Sequence, residues 1–233
     1  MPFYYDTVYW IALIPVLVLS LYAQIRVSSS YNRYSRVQNR RRVTGAQAAN
    51  EVLRAHGIHD VAIRPCRGHL SDHYAPRDNT IYLSESVYGV DSVAAVGVAA
   101  HEAGHAVQYA VGYGPIRIRM AILPVTQFGS QFSFIAIALG LILNTQALFA
   151  VGIVLFATTT LFQLVTLPVE FDASARAIGT IEGALLLDED EQKGAKKVLS
   201  AAALTYVAAL LTSMLQLLRY LMLFAGRDGR KRR

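Results

Sequence analysis

The sequence predicts an α-helical integral membrane protein, about four membrane helices in all, carrying one small α+β module. Three observations lead there. Hydrophobic residues make up 54% of the 233 positions and charged residues 16%, with a mean hydropathy of +0.34; an ordinary soluble domain carries about 25% charged residues. Four apolar runs approach the ~20 residues that cross a bilayer core as a helix. Between the first two runs lies a more polar stretch with helix caps, β-branched segments and an apolar helix pattern bearing two histidines.

The first segment, residues 1–25, has its apolar core at residues 10–21. Tyr4, Tyr5, Tyr9 and Trp10 at one end and Tyr22 at the other read as interfacial aromatics. No Lys or Arg precedes the core, so the segment reads as a retained anchor and not a cleaved leader. Arg26, Arg33, Arg36, Arg40, Arg41 and Arg42 follow, with no acidic residue before Glu51. Such a run marks the cytoplasmic flank of a span, which puts the N-terminus outside and the next segment in the cytoplasm. The net charge of +6 thus lies beside apolar spans, where it sets topology and meets lipid headgroups. That layout argues against nucleic acid as a partner.

The module spans residues 26–120. Thr44 with Gln47 three positions on is a capping box for its first helix, which Gly57 ends. Residues 61–64 are a strand by β-branching; residues 69–74 and Thr80–Ser84 form a hairpin about the turn at 75–79. Thr80, Ile81, Tyr82, Leu83 and Ser84 are the expected edge strand, open to main-chain pairing with an extended peptide. The lone cysteine, Cys66, excludes an intramolecular disulfide and a cysteine metal cluster, and reads as a small buried hydrophobe. Asp91 or Ser92 caps the next helix, which runs to about Val111 before Gly112 and Gly114-Pro115.

Arg117 and Arg119 open a membrane hairpin at residues 121–167, its tip at the uncharged turn Asn144-Thr145-Gln146 and outside. Gln127, Gln131 and Gln163 are expected to hydrogen-bond between its helices. Residues 168–200 follow as a helix and loop, in which Asp188 to Glu191 form a solvated helix start. Residues 201–233 are a C-terminal membrane helix with Arg219 inside it and a basic tail; both flanks are basic, so charge does not orient it.

The chemistry centres on His101-Glu102-Ala103-Gly104-His105. The two histidines and the glutamate are the only polar residues between Ser92 and Ala106. At 3.6 residues per turn, histidines four apart nearly stack on one helix face, so both rings reach one metal ion. Glu102 holds the general-base position of the H-E-x-x-H zinc hydrolase pattern. A small sheet before such a helix makes the module zincin-like. One Zn2+ per chain is implied, and a third ligand is needed. A membrane hairpin returns the chain to its starting side, so Glu170 and Asp172 are both candidates.

The chain resembles the YugP-type neutral zinc metallopeptidases, bacterial integral membrane proteins. The resemblance is carried by Leu70-Ser71-Asp72-His73-Tyr74, Pro76-Arg77, Leu83-Ser84, the string from Ala94 to Ala106 around the histidines, and Leu167-Pro168-Val169-Glu170-Phe171-Asp172-Ala173-Ser174. It implies multi-pass placement in the plasma membrane and zinc-dependent hydrolysis of peptide or membrane-protein substrates. Membrane-embedded protease cousins use a glutamate opening an E-x-x-x-D motif as third ligand. Carried over, that role falls on Glu170, with Ser174 in place of the aspartate that would orient a histidine. Helix geometry points the same way: residues two apart face ~200° from each other. The small Ser174 and Ala177 share the Glu170 face and suit close packing on Gly104 and Ala100, whereas Asp172 shares its face with Arg176, an ion-pair spacing.

The leading expectation is a gluzincin-like membrane endopeptidase: His101, His105 and Glu170 on zinc, Glu102 as base and then acid, with the site facing the cytoplasm. Ser174, Arg176, His73 and Tyr74 are candidates for supporting or oxyanion contacts. The alternative is a catalytically silent zinc-binding scaffold; a structural zinc would call for four protein ligands. A transporter would need paired charges inside its spans, which hold little beyond amides, threonines and Arg219.

Overall fold

The computed structural model describes residues 2–231, with side chains for residues 9–226. Its elements are α1 (Pro2–Tyr34), α2 (Gly45–Ala55), β1 (Ala62–Cys66), β2 (His73–Ala75), β3 (Thr80–Ser84), α3 (Val93–Ala110), α4 (Gly114–Ile142), α5 (Gln146–Gly183) and α6 (Glu189–Lys231). The fold is mostly helical with one small sheet, and α1, α4, α5 and α6 are long and apolar enough to cross a membrane. The side chains of Tyr4, Tyr5 and the basic tail from Arg227 lie outside the described residues.

The chain divides into two compact units. The first comprises the described parts of Met1–Tyr22, Ile118–Leu167 and Thr205–Arg233. In it α4 and α5 form a hairpin whose turn places Asn144 in the left-handed region, φ 52°. Glycines let the two backbones touch: a Cβ on Gly140 would lie 2.5 Å from the Phe149 nitrogen, and one on Gly152 2.7 Å from that of Ile137. Phe149, Ile137 and Ile153 form a buried cluster to which Leu217, Tyr220 and Phe224 of α6 add. The Tyr9 hydroxyl donates to Gln216 Oε1 at 2.6 Å, and the Arg219 guanidinium stands 4.4 Å from the Tyr9 ring centroid. Among the described residues no hydrogen bond joins Gln127 or Gln131 to another helix, contrary to expectation; both are exposed on α4. Contacts across the hairpin come instead from smaller groups, such as Thr126 Oγ1 donating to the Thr158 carbonyl at 3.4 Å.

The second unit comprises Ala23–Arg117 and Pro168–Leu204. Its sheet has the order β1-β3-β2, with β1 parallel and β2 antiparallel to β3. This corrects the expected edge strand. Thr80, Ile81, Tyr82, Leu83 and Ser84 form the central strand, paired from Ala62↔Thr80 to Cys66↔Ser84 on one side and with His73–Ala75 on the other. Beyond β2, Asp72 Oδ1 takes the Ser84 amide at 2.7 Å, so β3 offers no run of open main chain to a peptide. Burial explains the position: Ile81 and Leu83 are wholly buried, as a central strand requires. β1 starts one residue later than expected and runs on to Cys66 through Pro65, which an edge strand tolerates.

The capping box is present: the Gln47 amide donates to Thr44 Oγ1 at 3.3 Å and the Thr44 amide to Gln47 Oε1 at 2.8 Å. Ser92, not Asp91, caps α3, its Oγ taking the Ala95 amide at 3.1 Å. Asp91 instead receives Arg42 Nη1 at 2.8 Å. α2 packs on α3, and Val52, Leu53, Val96, Ala99, Ala103 and Val107 are buried in one core. Helix α5 passes through Pro168 without a break, so the third span and the segment carrying Glu170 are one helix. The compact units change over at that proline, whose missing N–H removes one link of the helical ladder.

Candidate active site

Alanines on α3 face the core, with Ala99, Ala100, Ala103 and Ala106 buried, while His101, Glu102 and His105 are only half-buried. The rings of His101 and His105 lie 4.7 Å apart at 80°. Between them sits Gly104, where α5 presses directly on the helix. A Cβ there would lie 2.5 Å from the Ala173 carbonyl oxygen. That contact brings Glu170, one turn before Ser174, under the two rings; it is 3% exposed. Its Oε2 lies 3.3 Å from His101 Nε2 and 3.7 Å from His105 Nε2. These donors all lie within 4.8 Å of one another.

The far nitrogens are held as well. His101 Nδ1 is 3.0 Å from Ser174 Oγ, and His105 Nδ1 is 3.0 Å from Gln108 Oε1. The Gln108 amide nitrogen donates to the Val169 carbonyl at 2.7 Å and to Asp172 Oδ2 at 2.8 Å. Both are pure acceptors, which turns the Gln108 oxygen toward His105 and puts the ring proton on Nδ1. A neutral His105 therefore aims a lone pair at the Glu170 carboxylate. Two acceptors facing each other call for a cation between them, and two imidazole nitrogens with one carboxylate oxygen are donors that zinc takes readily. The residues fit the metal. Burial opposes charging His105, yet Glu170, Glu102 and Gln108 together raise its pKa.

Glu102 is beside the triad. Its Oε2 takes the main-chain N–H of Tyr74 at 3.1 Å, so β2 holds the carboxylate by its backbone. Burial pushes the Glu102 pKa up, with the Glu170 and Asp72 carboxylates adding to the rise and the histidines opposing it.

The structure brings together His101, His105, Glu170, Glu102 and Ser174, and keeps Asp172 apart from the three donor atoms. Asp172 instead takes Arg176 Nε at 2.7 Å and Gln108, so Arg176 acts on the site through two intermediaries. His73 stacks on Tyr82 at 5.2 Å, and its Nδ1 is 2.8 Å from the Ser71 carbonyl. The Tyr74 hydroxyl donates to Asn79 Oδ1 at 2.8 Å, leaving only its main chain at the site. Gln108 was not anticipated. Its signal was present: it lies three positions after His105 on the same face of an otherwise apolar helix.

The chain is 44% identical over 216 residues to the "Putative membrane protease YugP" of Bacillus subtilis (strain 168), covering 92% of this chain and 96% of that protein. No solved structure matches it. The family described as "Putative neutral zinc metallopeptidase" matches residues 9–225, nearly the whole chain, and the chain belongs to that family.

Proposed function

We propose that the protein is a zinc-dependent endopeptidase of the membrane, cutting peptide bonds near the bilayer surface on the cytoplasmic side. The observation that carries this reading is the convergence of His101 Nε2, His105 Nε2 and Glu170 Oε2, with Glu102 adjoining. These three residues would hold one zinc ion, which when bound polarises a scissile carbonyl and lowers the pKa of water. Glu102 is the general base: it takes a proton from the attacking water and returns it to the departing amine. The Tyr74 amide keeps the Glu102 carboxylate in place. Ser174 and Gln108 fix the two rings so that both Nε2 atoms face Glu170. With β3 enclosed, a peptide would lie along β2, the sheet edge that touches α3.

The test is metal content together with hydrolysis of a casein-like substrate. Wild type should carry about one zinc per chain and cut. Glu102→Gln should carry zinc and not cut, and Glu170→Gln should lose both. Cleavage by Glu102→Gln at the wild-type rate would end this reading. Full zinc occupancy in a wild type that cleaves nothing would favour a zinc-holding scaffold.

A further inference from the structure

The six arginines between Arg26 and Arg42 look alike in sequence, but they end in different surroundings. Arg40 Nη1 meets Asp188 at 3.0 Å, Arg41 Nε meets Asp188 at 3.4 Å and Arg42 meets Asp91 at 2.8 Å. On α6, Lys196 meets Glu182 at 2.5 Å. Arg33 and Lys197 have no carboxylate within ion-pair distance among the described residues. These two line one cavity of about 210 Å³ with Arg26, Ser29, Ser30 and Tyr34.

The cavity is built by close packing. Gly194 of α6 lies against the Tyr34 ring, and a Cβ on it would come 2.6 Å from Tyr34 Cε1. Tyr31, one turn earlier on α1, is buried with Ala94 and Val198. Positions 26, 29, 30 and 33 lie on one face of α1, and Lys197 closes the cleft from α6. Three cations, two serine hydroxyls and a phenol line it, with no acidic side chain. Its volume is below the ~300–1,000 Å³ of drug-sized ligand sites and suits a compact oxyanion. Its place in the chain names the source of that anion. The apolar run of α1 ends at Ile25, which is 56% exposed, and Arg26 follows at once; the apolar run of α6 begins four residues after Lys197. The cleft thus lies where both helices pass from apolar to basic, at headgroup level.

We propose that this cleft binds the headgroup phosphate of one anionic phospholipid. The phosphate accepts from Arg33, Lys197 and Arg26, serine hydroxyls complete its hydrogen bonds, and the acyl chains follow the apolar surface that begins at Ile25. The lipid then ties α1 to α6 beside the first turns of α3.

The test uses the full chain in detergent and fluorescent phosphatidylglycerol. Wild type should bind it, and should be stabilised against heat by phosphatidylglycerol but not by phosphatidylcholine or inorganic phosphate. Arg33→Gln with Lys197→Gln should weaken binding roughly 30-fold, the loss of two juxtamembrane charges. Arg36→Gln with Lys193→Gln, an equal charge loss outside the cleft, should leave it unchanged. Ser30→Leu keeps every charge and fills the cleft, so it should also abolish binding. It serves as the deciding variant if the double substitution unfolds. Equal loss in the control pair, binding retained by Ser30→Leu, or protection by phosphatidylcholine or inorganic phosphate would each overturn the assignment.

Discussion

Polar side chains are used differently in the two compact units. In the first, most short hydroxyls turn back on their own helix: Ser130 donates to the Gln127 carbonyl at 3.0 Å, Thr158 to Leu155 at 2.7 Å and Thr212 to Ala208 at 2.8 Å. Such bonds satisfy the group locally and define little. In the second unit hydroxyls such as Ser29, Ser35 and Ser200 do the same, but the polar side chains of α3 join residues far apart in sequence: Glu102 to Tyr74, His101 to Ser174, Gln108 to Asp172. Local bonds let an apolar helix carry serine and threonine at low cost. Long-range bonds hold three donor atoms under one another. Both units use glycine alike, to let helix backbones touch, at Gly140 and Gly152 in one and Gly104 in the other.

The contrast predicts where substitutions act. The largest effect belongs to the carboxylates at the triad. Glu102→Gln should reduce peptide hydrolysis about 10²–10⁴-fold, the usual worth of a general base, at unchanged zinc content. Glu170→Gln should empty the site, because a neutral amide is a poor zinc ligand, whereas Asp172→Asn should stay loaded. If Asp172→Asn loses zinc and Glu170→Gln keeps it, the donor assignment is wrong.

Next comes the ring support. Gln108→Ala should weaken zinc binding about 10–100-fold, as loss of a ligand's hydrogen-bond partner commonly does. Ser174→Ala should act on the other ring in the same direction. Competition with a chelator reads both. An unchanged affinity in Gln108→Ala would mean that the His105 ring needs no partner.

Glycine substitutions compare the units directly. Gly104→Ala and Gly152→Ala each overpack a helix contact and should cost about 1–3 kcal/mol of stability. Only Gly104→Ala should also lower zinc affinity, since it wedges α3 away from the helix bearing Glu170. Equal zinc binding in both variants would remove the special place given to the Gly104–Ala173 contact.

The smallest effect is on the exposed Arg40–Asp188 and Arg41–Asp188 pairs. Arg40 and Arg41 hold the Asp188 carboxyl below its ordinary range. A depressed folded-state value stabilises above the unfolded value, about pH 4, and that contribution fades as pH falls below it. Asp188→Asn should therefore lower the Tm slightly at pH 7 and not at all near pH 2. An equal loss at both values would assign it to packing or hydrogen bonding instead.

Much of the site could be read along the chain because helical periodicity is local. Four positions between His101 and His105 stack two rings whatever the rest of the fold does. The same periodicity put Glu170, Ser174 and Ala177 on one face and Asp172 with Arg176 on another; the Arg176–Asp172 bond at 2.7 Å follows that division, while the residue that presses on Gly104 is Ala173, three positions after Glu170. The four long apolar helices were legible for the same reason. Other features depend on which surfaces meet. β3 is central because β1, fourteen residues before the start of β3, pairs parallel with it, and no turn signal announces a parallel partner. Gln108 supports His105 because Asp172 and the Val169 carbonyl, more than sixty residues on, take its amide protons. Arg40, Arg41 and Arg42 are paired because Asp188 and Asp91 fold against the end of the arginine run, whereas Arg33 meets no carboxylate among the described residues. Local spacing sets which face a residue occupies; the partner on that face comes from distant chain, brought there by burial of the apolar core between.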